Sequence, residues 1–227
     1  MRSKHSILAL GMKCDVTSLE QLKEVKARIN DELGKIHNLI NVAGGNHPGA
    51  TTEVEEVTKD TKGEDTFLGI DVNAFSQVNK LNLQGTVLPA KVFGEDLVNN
   101  KGGCIINISS VSALRPLTKI VAYSSAKAGI ENFTKWLAVH FAKVNVRVNA
   151  IAPGFILTKQ NSFLLIDDKT GQPTKRGGKI ISNTPMGRYG KASEVAEVVN
   201  FLLSEKASFI TGAVLPVDGG FSAFSGV

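Results

Sequence analysis

The chain has 227 residues, of which 42% are hydrophobic, 21% charged and 6% aromatic. That profile belongs to an ordinary globular protein able to bury a real core; it excludes disordered and collagen-like chains, and no apolar run approaches the ~20 residues a membrane helix needs. The net charge of +5, from 26 basic and 21 acidic residues, is scattered, whereas a nucleic-acid surface wants clustered charge with aromatic platforms.

The chain starts basic with Met1, Arg2, Ser3, Lys4 and His5, but Ile7 to Leu10 is too short for the apolar part of a signal peptide. The apolar run Ile7 to Cys14 reads as a first strand and ends at Asp15. A helix follows: Ser18 and Gln21 fit a capping box, Leu19, Leu22, Val25, Ile29 and Leu33 form one stripe, and Gly34 suits the C-terminal cap. Residues 36–43 read as a strand and 46–73 as a polar surface loop. A second stripe runs through Phe75, Val78, Leu81, Leu88, Val92 and Leu97, with Pro89 expected to distort it.

Residues 102–109 suit a strand buried on both faces. Ile130, Phe133, Leu137 and Phe141 mark a third helix, and residues 144–152 a strand stopped by Pro153 and Gly154. Residues 155–185, rich in Lys, Gly and Asp, read as a mobile substrate-loop region within one domain spanning 1–227. Val195, Val198, Val199, Leu202 and Leu203 mark the last helix, and residues 213–217 the last strand. Strand–helix alternation predicts an α/β fold with a parallel sheet, in which ligands bind at the carboxyl ends of the strands. Cys14 and Cys104 lie far apart in apolar runs, which favours reduced thiols in a cytoplasmic protein. No two of the four histidines have metal-site spacing.

Tyr123 and Lys127, four apart at a predicted helix start, share one face. A nearby ammonium favours the phenolate, so the pair is a candidate proton acceptor or donor; an exposed Tyr and Lys on a helix is the bland alternative. Ser110 follows a buried strand and offers a hydroxyl for the same substrate oxygen, or is simply turn chemistry. Asn82 lies in an apolar stripe, so it is either a structural tie or part of a polar network.

Asn41-Val42-Ala43-Gly44, Asn82, Ile108-Ser109-Ser110, Tyr123 with Lys127, Pro153-Gly154 and the final Asp218-Gly219-Gly220 come in an order and spacing that resembles the short-chain dehydrogenase/reductase family, from about residue 6 onward. The resemblance implies a Rossmann-like, doubly wound parallel sheet and hydride transfer between NAD or NADP and an alcohol or carbonyl carbon. It implies Tyr123 as acid/base, Lys127 as the group that lowers the Tyr pKa and holds the nicotinamide ribose, Ser110 as substrate-orienting hydroxyl, and Asn82 as anchor of a proton relay. By the same resemblance Asp15 with Val16 would contact adenine, Asn41, Ala43 and Gly44 would back the adenosine, and Pro153, Gly154 and Thr158 would line the nicotinamide. No Gly-rich pyrophosphate turn precedes Asp15, so about two strand–helix units of the family are expected to be missing and dinucleotide binding to be impaired. A mis-set start, a natural truncation and a surviving fragment are the explanations this leaves open.

Several stretches are similar to the family's D-mannonate/D-fructuronate branch: residues 44–50, 115–119, 153–158 and 219–227. A sugar carboxylate wants cations, which singles out Arg115, Lys119 and Lys159, and His47 is a candidate hydroxyl partner. A gluconate-type acid is the alternative substrate, and a cofactor-deficient remnant with an assembly or binding role the alternative function. No G-x-S-x-G hydrolase elbow occurs. The resemblance also implies a homodimer or homotetramer through helices near 73–98 and 123–143, where Phe93, Phe133, Trp136 and Phe141 broaden the apolar arc, with the tail 221–227 docking on a neighbour.

Overall fold

The computed structural model describes residues 8–100, 102–159 and 161–226; the basic start, Ile7 and Val227 lie outside the described residues. Helix α1, Leu19–Glu32, begins as its sequence dictates: Ser18 Oγ accepts from Gln21 N. The capping box is only half made, because the Gln21 side chain instead accepts from Asp15 N at 2.8 Å and Ser18 N is taken by the Asp15 carbonyl. Gly34 follows the last turn at φ +86, the left-handed geometry that glycine adopts without a steric cost.

Strands β1 (Asn38–Asn41), β2 (Gly103–Ile108), β3 (Val146–Pro153) and β4 (Val214–Val217) form a parallel sheet in the order β1-β2-β3-β4. Asn41 lies opposite Asn107, and Asn107 opposite Ala150, so the strands end together. The run from Leu8 to Cys14 forms no strand, contrary to its composition. Among the described residues β1 pairs only with β2, and Cys14 packs against the Leu22 cluster instead of joining the ladder. Strand propensity without a hydrogen-bonded neighbour does not make a strand.

Alternate residues of β2 serve opposite faces, as a sheet covered on both sides requires. Ile105 packs with Leu97, Leu137 and Val148; Cys104 and Ile106 pack with Ile151 and Leu202 on the other side. Helices α2 (Val72–Asn79), α3 (Gly85–Asn99), α4 (Val111–Leu114) and α5 (Val121–Phe141) lie between β1 and β3 in the chain; α3 and α5 cover the first face. After β3, α6 (Ser162–Leu165) and α7 (Lys175–Ser182) give the 155–185 region local structure, and α8, Ala192–Leu203, covers the second face. The distortion expected near Pro89 sits earlier: α2 and α3 are joined by one wide turn of π-helix over Lys80–Gln84. The carboxyl ends of β1, β2 and β3 therefore converge on that turn and on the start of α5.

Candidate active site

Ser110 leaves β2 extended and caps α4, its Oγ accepting from Ser112 N at 3.2 Å. The same hydroxyl lies close enough to the Tyr123 phenol, in the first turns of α5, to oppose the rise of its pKa. One turn on, Lys127 is 3% exposed; its Nζ lies 5.4 Å from the Tyr123 ring centroid and donates to the Ile108 carbonyl at 2.7 Å. The structure thus brings Ser110, Tyr123 and Lys127 together.

The electrostatics correct the expectation of an acidified phenol. Burial pushes the Tyr123 pKa up, opposed by the Ser110 hydrogen bond, and burial pulls Lys127 down to about 8. Desolvation disfavours the charged form of each group, and the ammonium sits over the ring face. The phenol at neutral pH is a neutral donor.

Asn82, fully buried in the π turn, spends its amide on the chain: Nδ2 donates to Gly45 O at 2.7 Å and Val78 O at 2.8 Å, and Oδ1 accepts from Gly45 N at 3.2 Å. Of the two readings open from sequence, the geometry is that of a structural tie. It draws the Gly44-Gly45 turn so close that a Cβ on Gly44 would lie 2.6 Å from Asn82 Oδ1 and 3.3 Å from Lys127 Nζ. Below, Asn41 Nδ2 donates to Asn107 Oδ1 at 2.9 Å and Asn107 Nδ2 to Thr134 Oγ1 at 2.9 Å, a buried ladder from β1 to α5.

The other singled-out residues are dispersed. Asp15 Oδ1 accepts from the N–H and hydroxyl of Thr17, bonds that hold its carboxyl below the usual range, and Val16 packs on Gly85 beside the π turn. Ala43 is exposed after β1. Gly154 N donates to Val217 O, and a Cβ there would lie 2.7 Å from Asp218 Cα, which fixes Pro153 and Gly154 against the β4 end. Thr158 N donates to Asn161 Oδ1. His47 Nδ1 accepts from Gly49 N, so that nitrogen is committed to the turn over Pro48–Ala50. Arg115 and Lys159 are exposed, and neither forms an ion pair among the described residues. Lys119 stands at φ +73, with Nζ donating to Glu53 O at 2.6 Å.

Glu131 was missed. Its carboxylate, 7% exposed, accepts from Ser109 Oγ at 2.8 Å, and Ser109 Oγ also faces Lys127 O at 3.3 Å. Burial raises the Glu131 pKa. The signal was there: Glu131 is four residues beyond Lys127 on one helix face.

Residues 2–222 match the sequence family described as Enoyl-(Acyl carrier protein) reductase. An uncharacterized oxidoreductase of Haemophilus influenzae is 50% identical over 96% of this chain and 77% of its own length. The chain belongs to the short-chain dehydrogenase/reductase family. Another relative, the uncharacterized oxidoreductase UxuB of Bacillus subtilis, is 47% identical over 96% of this chain and 78% of its own. The crystal structure of a provisionally named D-mannonate oxidoreductase from Haemophilus influenza, with bound NAD, superposes with a TM-score of 0.91 at 50% identity, covering 96% of this chain and 79% of that one. The chain is thus a short-chain oxidoreductase with the parallel α/β fold expected.

The family uses NAD(P), and the nicotinamide-ribose end of such a cofactor fits this site. Lys127 is a buried ammonium with one hydrogen-bond acceptor among the described residues, which leaves two donors for ribose hydroxyls. The bare face of Gly44 gives close backbone approach. Among the described residues no glycine-rich strand–helix turn offers N–H groups to the pyrophosphate.

Proposed function

We propose that this short-chain oxidoreductase acts on sugar acids, interconverting D-mannonate and D-fructuronate with NAD or NADP. The observation that carries the reading is the meeting of Ser110, Tyr123 and the buried Lys127, whose Nζ lies 5.4 Å from the Tyr123 ring centroid; similarity to the Haemophilus structure provisionally named for D-mannonate supports the substrate. The reduced cofactor, NAD(P)H, would supply the hydride in the reducing direction and be left as NAD(P)+. Ser110 holds the substrate oxygen, and the neutral Tyr123 phenol, uncharged because it is buried, gives that oxygen its proton. Lys127 orients the ribose and stabilises the phenolate left behind. Asn82 and the Asn41–Asn107–Thr134 ladder hold the Gly44 turn in place. Arg115, exposed and free of ion pairs among the described residues, is the first cation offered to the sugar carboxylate.

The test is a substrate panel. D-fructuronate with NADH or NADPH should give a higher kcat/KM than keto acids of the gluconate type; the reverse order would replace the substrate. Arg115→Ala should raise KM for the hexuronate more than it lowers kcat, and an unchanged KM would dismiss that residue.

The chain is further read as a cytoplasmic homodimer or homotetramer. Cys14 and Cys104 are free thiols, and no described helix is long and apolar enough to cross a membrane. Of the aromatic arc read from sequence, Phe93 is buried and Phe133 and Phe141 pack on the core, so the face offered to a second copy reduces to Trp136, 58% exposed and stacked on His140, and Val139, 80% exposed.

A further inference from the structure

The end of β2 is tied to α5 at three consecutive residues. Asn107 Nδ2 donates to Thr134 Oγ1 at 2.9 Å, the Ile108 carbonyl accepts from Lys127 Nζ at 2.7 Å, and Ser109 Oγ donates to Glu131 Oε1 at 2.8 Å. On α5 the partners Lys127, Glu131 and Thr134 follow one another at helical spacing, so they share a face with Tyr123, one turn before Lys127. The next residue of the chain after the three ties is Ser110. The catalytic group therefore stands at the open end of a ladder whose deeper rungs are those of Glu131 and Thr134.

Ser109 joins these parts. It is buried, and its N–H donates to the Ile151 carbonyl of β3 at 2.8 Å. Its hydroxyl has one hydrogen and faces two acceptors, Glu131 Oε1 at 2.8 Å and the Lys127 carbonyl at 3.3 Å. The carboxylate, closer and the stronger acceptor, takes the hydrogen. Without it the hydroxyl keeps only the longer contact. Glu131 is itself buried and forms no ion pair among the described residues, so its carboxylate is spent on Ser109 and not on a cation. Burying a carboxylate without a cation is costly, and the fold bears that cost one turn from Lys127.

We propose that Glu131 is a positioning residue for the reaction: by fixing Ser109 it sets the end of β2 against α5, and with it the Ile108 carbonyl under the Lys127 ammonium and the Ser110 hydroxyl beside the Tyr123 phenol. It acts through Ser109. This rests on the reading of Ser110, Tyr123 and Lys127 as the catalytic group and extends it to a residue that reading did not include. The contribution is a hydrogen bond in place, not a charge. Glutamine keeps an acceptor oxygen at the same reach and should serve; alanine should not.

The test is reductive methylation of the ligand-free chain, read at individual lysines by peptide mass spectrometry. Lys26 is the control: its side chain is 13% exposed and is ion-paired with Glu95 and Asp96, between α1 and α3. Glu131→Ala and Ser109→Ala should each speed the labelling of Lys127 about fivefold, as loss of one hydrogen bond in a locally opening segment would. The double variant should label no faster than either single one, because the two residues form one tie. Glu131→Gln should label Lys127 at the wild-type rate, and Lys26 should keep its rate in every variant. Unchanged Lys127 labelling in the alanine variants, a parallel rise at Lys26, or a glutamine variant as fast as the alanine one overturns the proposal. Ser109→Ala removes a single hydroxyl and keeps the Asn107–Thr134 rung, so it carries the test should Glu131→Ala not fold.

In turnover with D-fructuronate and NADH or NADPH, the alanine variants should lose about tenfold in kcat with little change in KM for the hexuronate, because misplaced reacting groups are felt in the transition state. Glu131→Gln should keep kcat; alanine variants that also keep it overturn the proposal. If the wild type reduces no hexuronate while Lys127 labelling responds as stated, the sugar-acid reading falls and the Glu131 tie stands. If the wild type reduces it and the labelling does not respond, the tie falls and the sugar-acid reading stands.

Discussion

Lys127 Nζ donates to the Ile108 carbonyl at 2.7 Å from a side chain that is 3% exposed. Among the described residues no carboxylate compensates its charge, and burial pulls its pKa from 10.5 to about 8. The unfolded chain keeps the proton up to its ordinary value. Between about pH 8 and 10.5 the unfolded state therefore binds more protons, and stability rises with pH across that window; below pH 8 the fold bears the whole cost, about 3 kcal/mol. Lys127→Met removes that cost while losing a hydrogen bond worth about 1 kcal/mol. The variant should be the more stable protein in urea at pH 7, lose that advantage by pH 10, and lose about 10²–10⁴-fold in turnover. A variant less stable than the wild type at pH 7 would contradict the burial argument.

Gly44 and Gly45 are neighbours with opposite tolerance. A Cβ on Gly44 meets Asn82 Oδ1 at 2.6 Å, and that side chain is pinned by its bonds to Gly45 and Val78; a Cβ on Gly45 meets only Leu81 Cδ2 at 3.9 Å. Gly44→Ala should cost about 1–3 kcal/mol, as overpacking against a fixed neighbour does, and should depress activity as well. Gly45→Ala should be close to neutral. Equal unfolding midpoints for the two variants would show that the Asn82 tie yields.

Trp136 and Val139 present an apolar face on α5 that nothing in the described chain covers. If it is the contact between copies, Trp136→Glu places an unpaired charge in an apolar interface and should yield monomers in light scattering after gel filtration, with the circular dichroism unchanged. A wild-type chain that elutes as a monomer would remove the proposal.

The fold was legible wherever one local signal sufficed. Periodicity located the helices, and the unbroken apolar runs located β2 and β3. The Leu8–Cys14 run misled because composition reports propensity, while a strand exists only when another strand pairs with it. Tyr123, Lys127 and Ser110 were legible from spacing, but the direction of the Tyr123 shift was not. The sequence shows that an ammonium is near; only packing shows that burial raises the phenol's pKa against the pull of the Ser110 hydroxyl. Glu55 and Lys179, which meet in an ion pair, are 124 residues apart and carry no local pattern. The Gln21 side chain shows the same limit at short range: the box motif is present, yet Asp15 N captures the amide.

Dinucleotide affinity tests the half of the site that the described residues supply least. Two pyrophosphate charges are ordinarily met by backbone N–H groups at a helix N-terminus. Here the first turn of α1 carries Glu20, and Ser18 already caps Gln21 N, with the Asp15 carboxylate just before it. That end of α1 repels phosphate. Lys127, Asn41 and Gly44 remain for the ribose and adenosine ends, and they do not neutralise the phosphates. The 227-residue chain, titrated with NADH or NADPH and followed by nicotinamide fluorescence, should half-saturate only above roughly 100 μM, corresponding to less than about 5.5 kcal/mol of binding. Lys127→Met should weaken it further. Low-micromolar saturation would mean that phosphate contacts are supplied within these residues, and a search for them would begin at the Asp15–Ser18 turn.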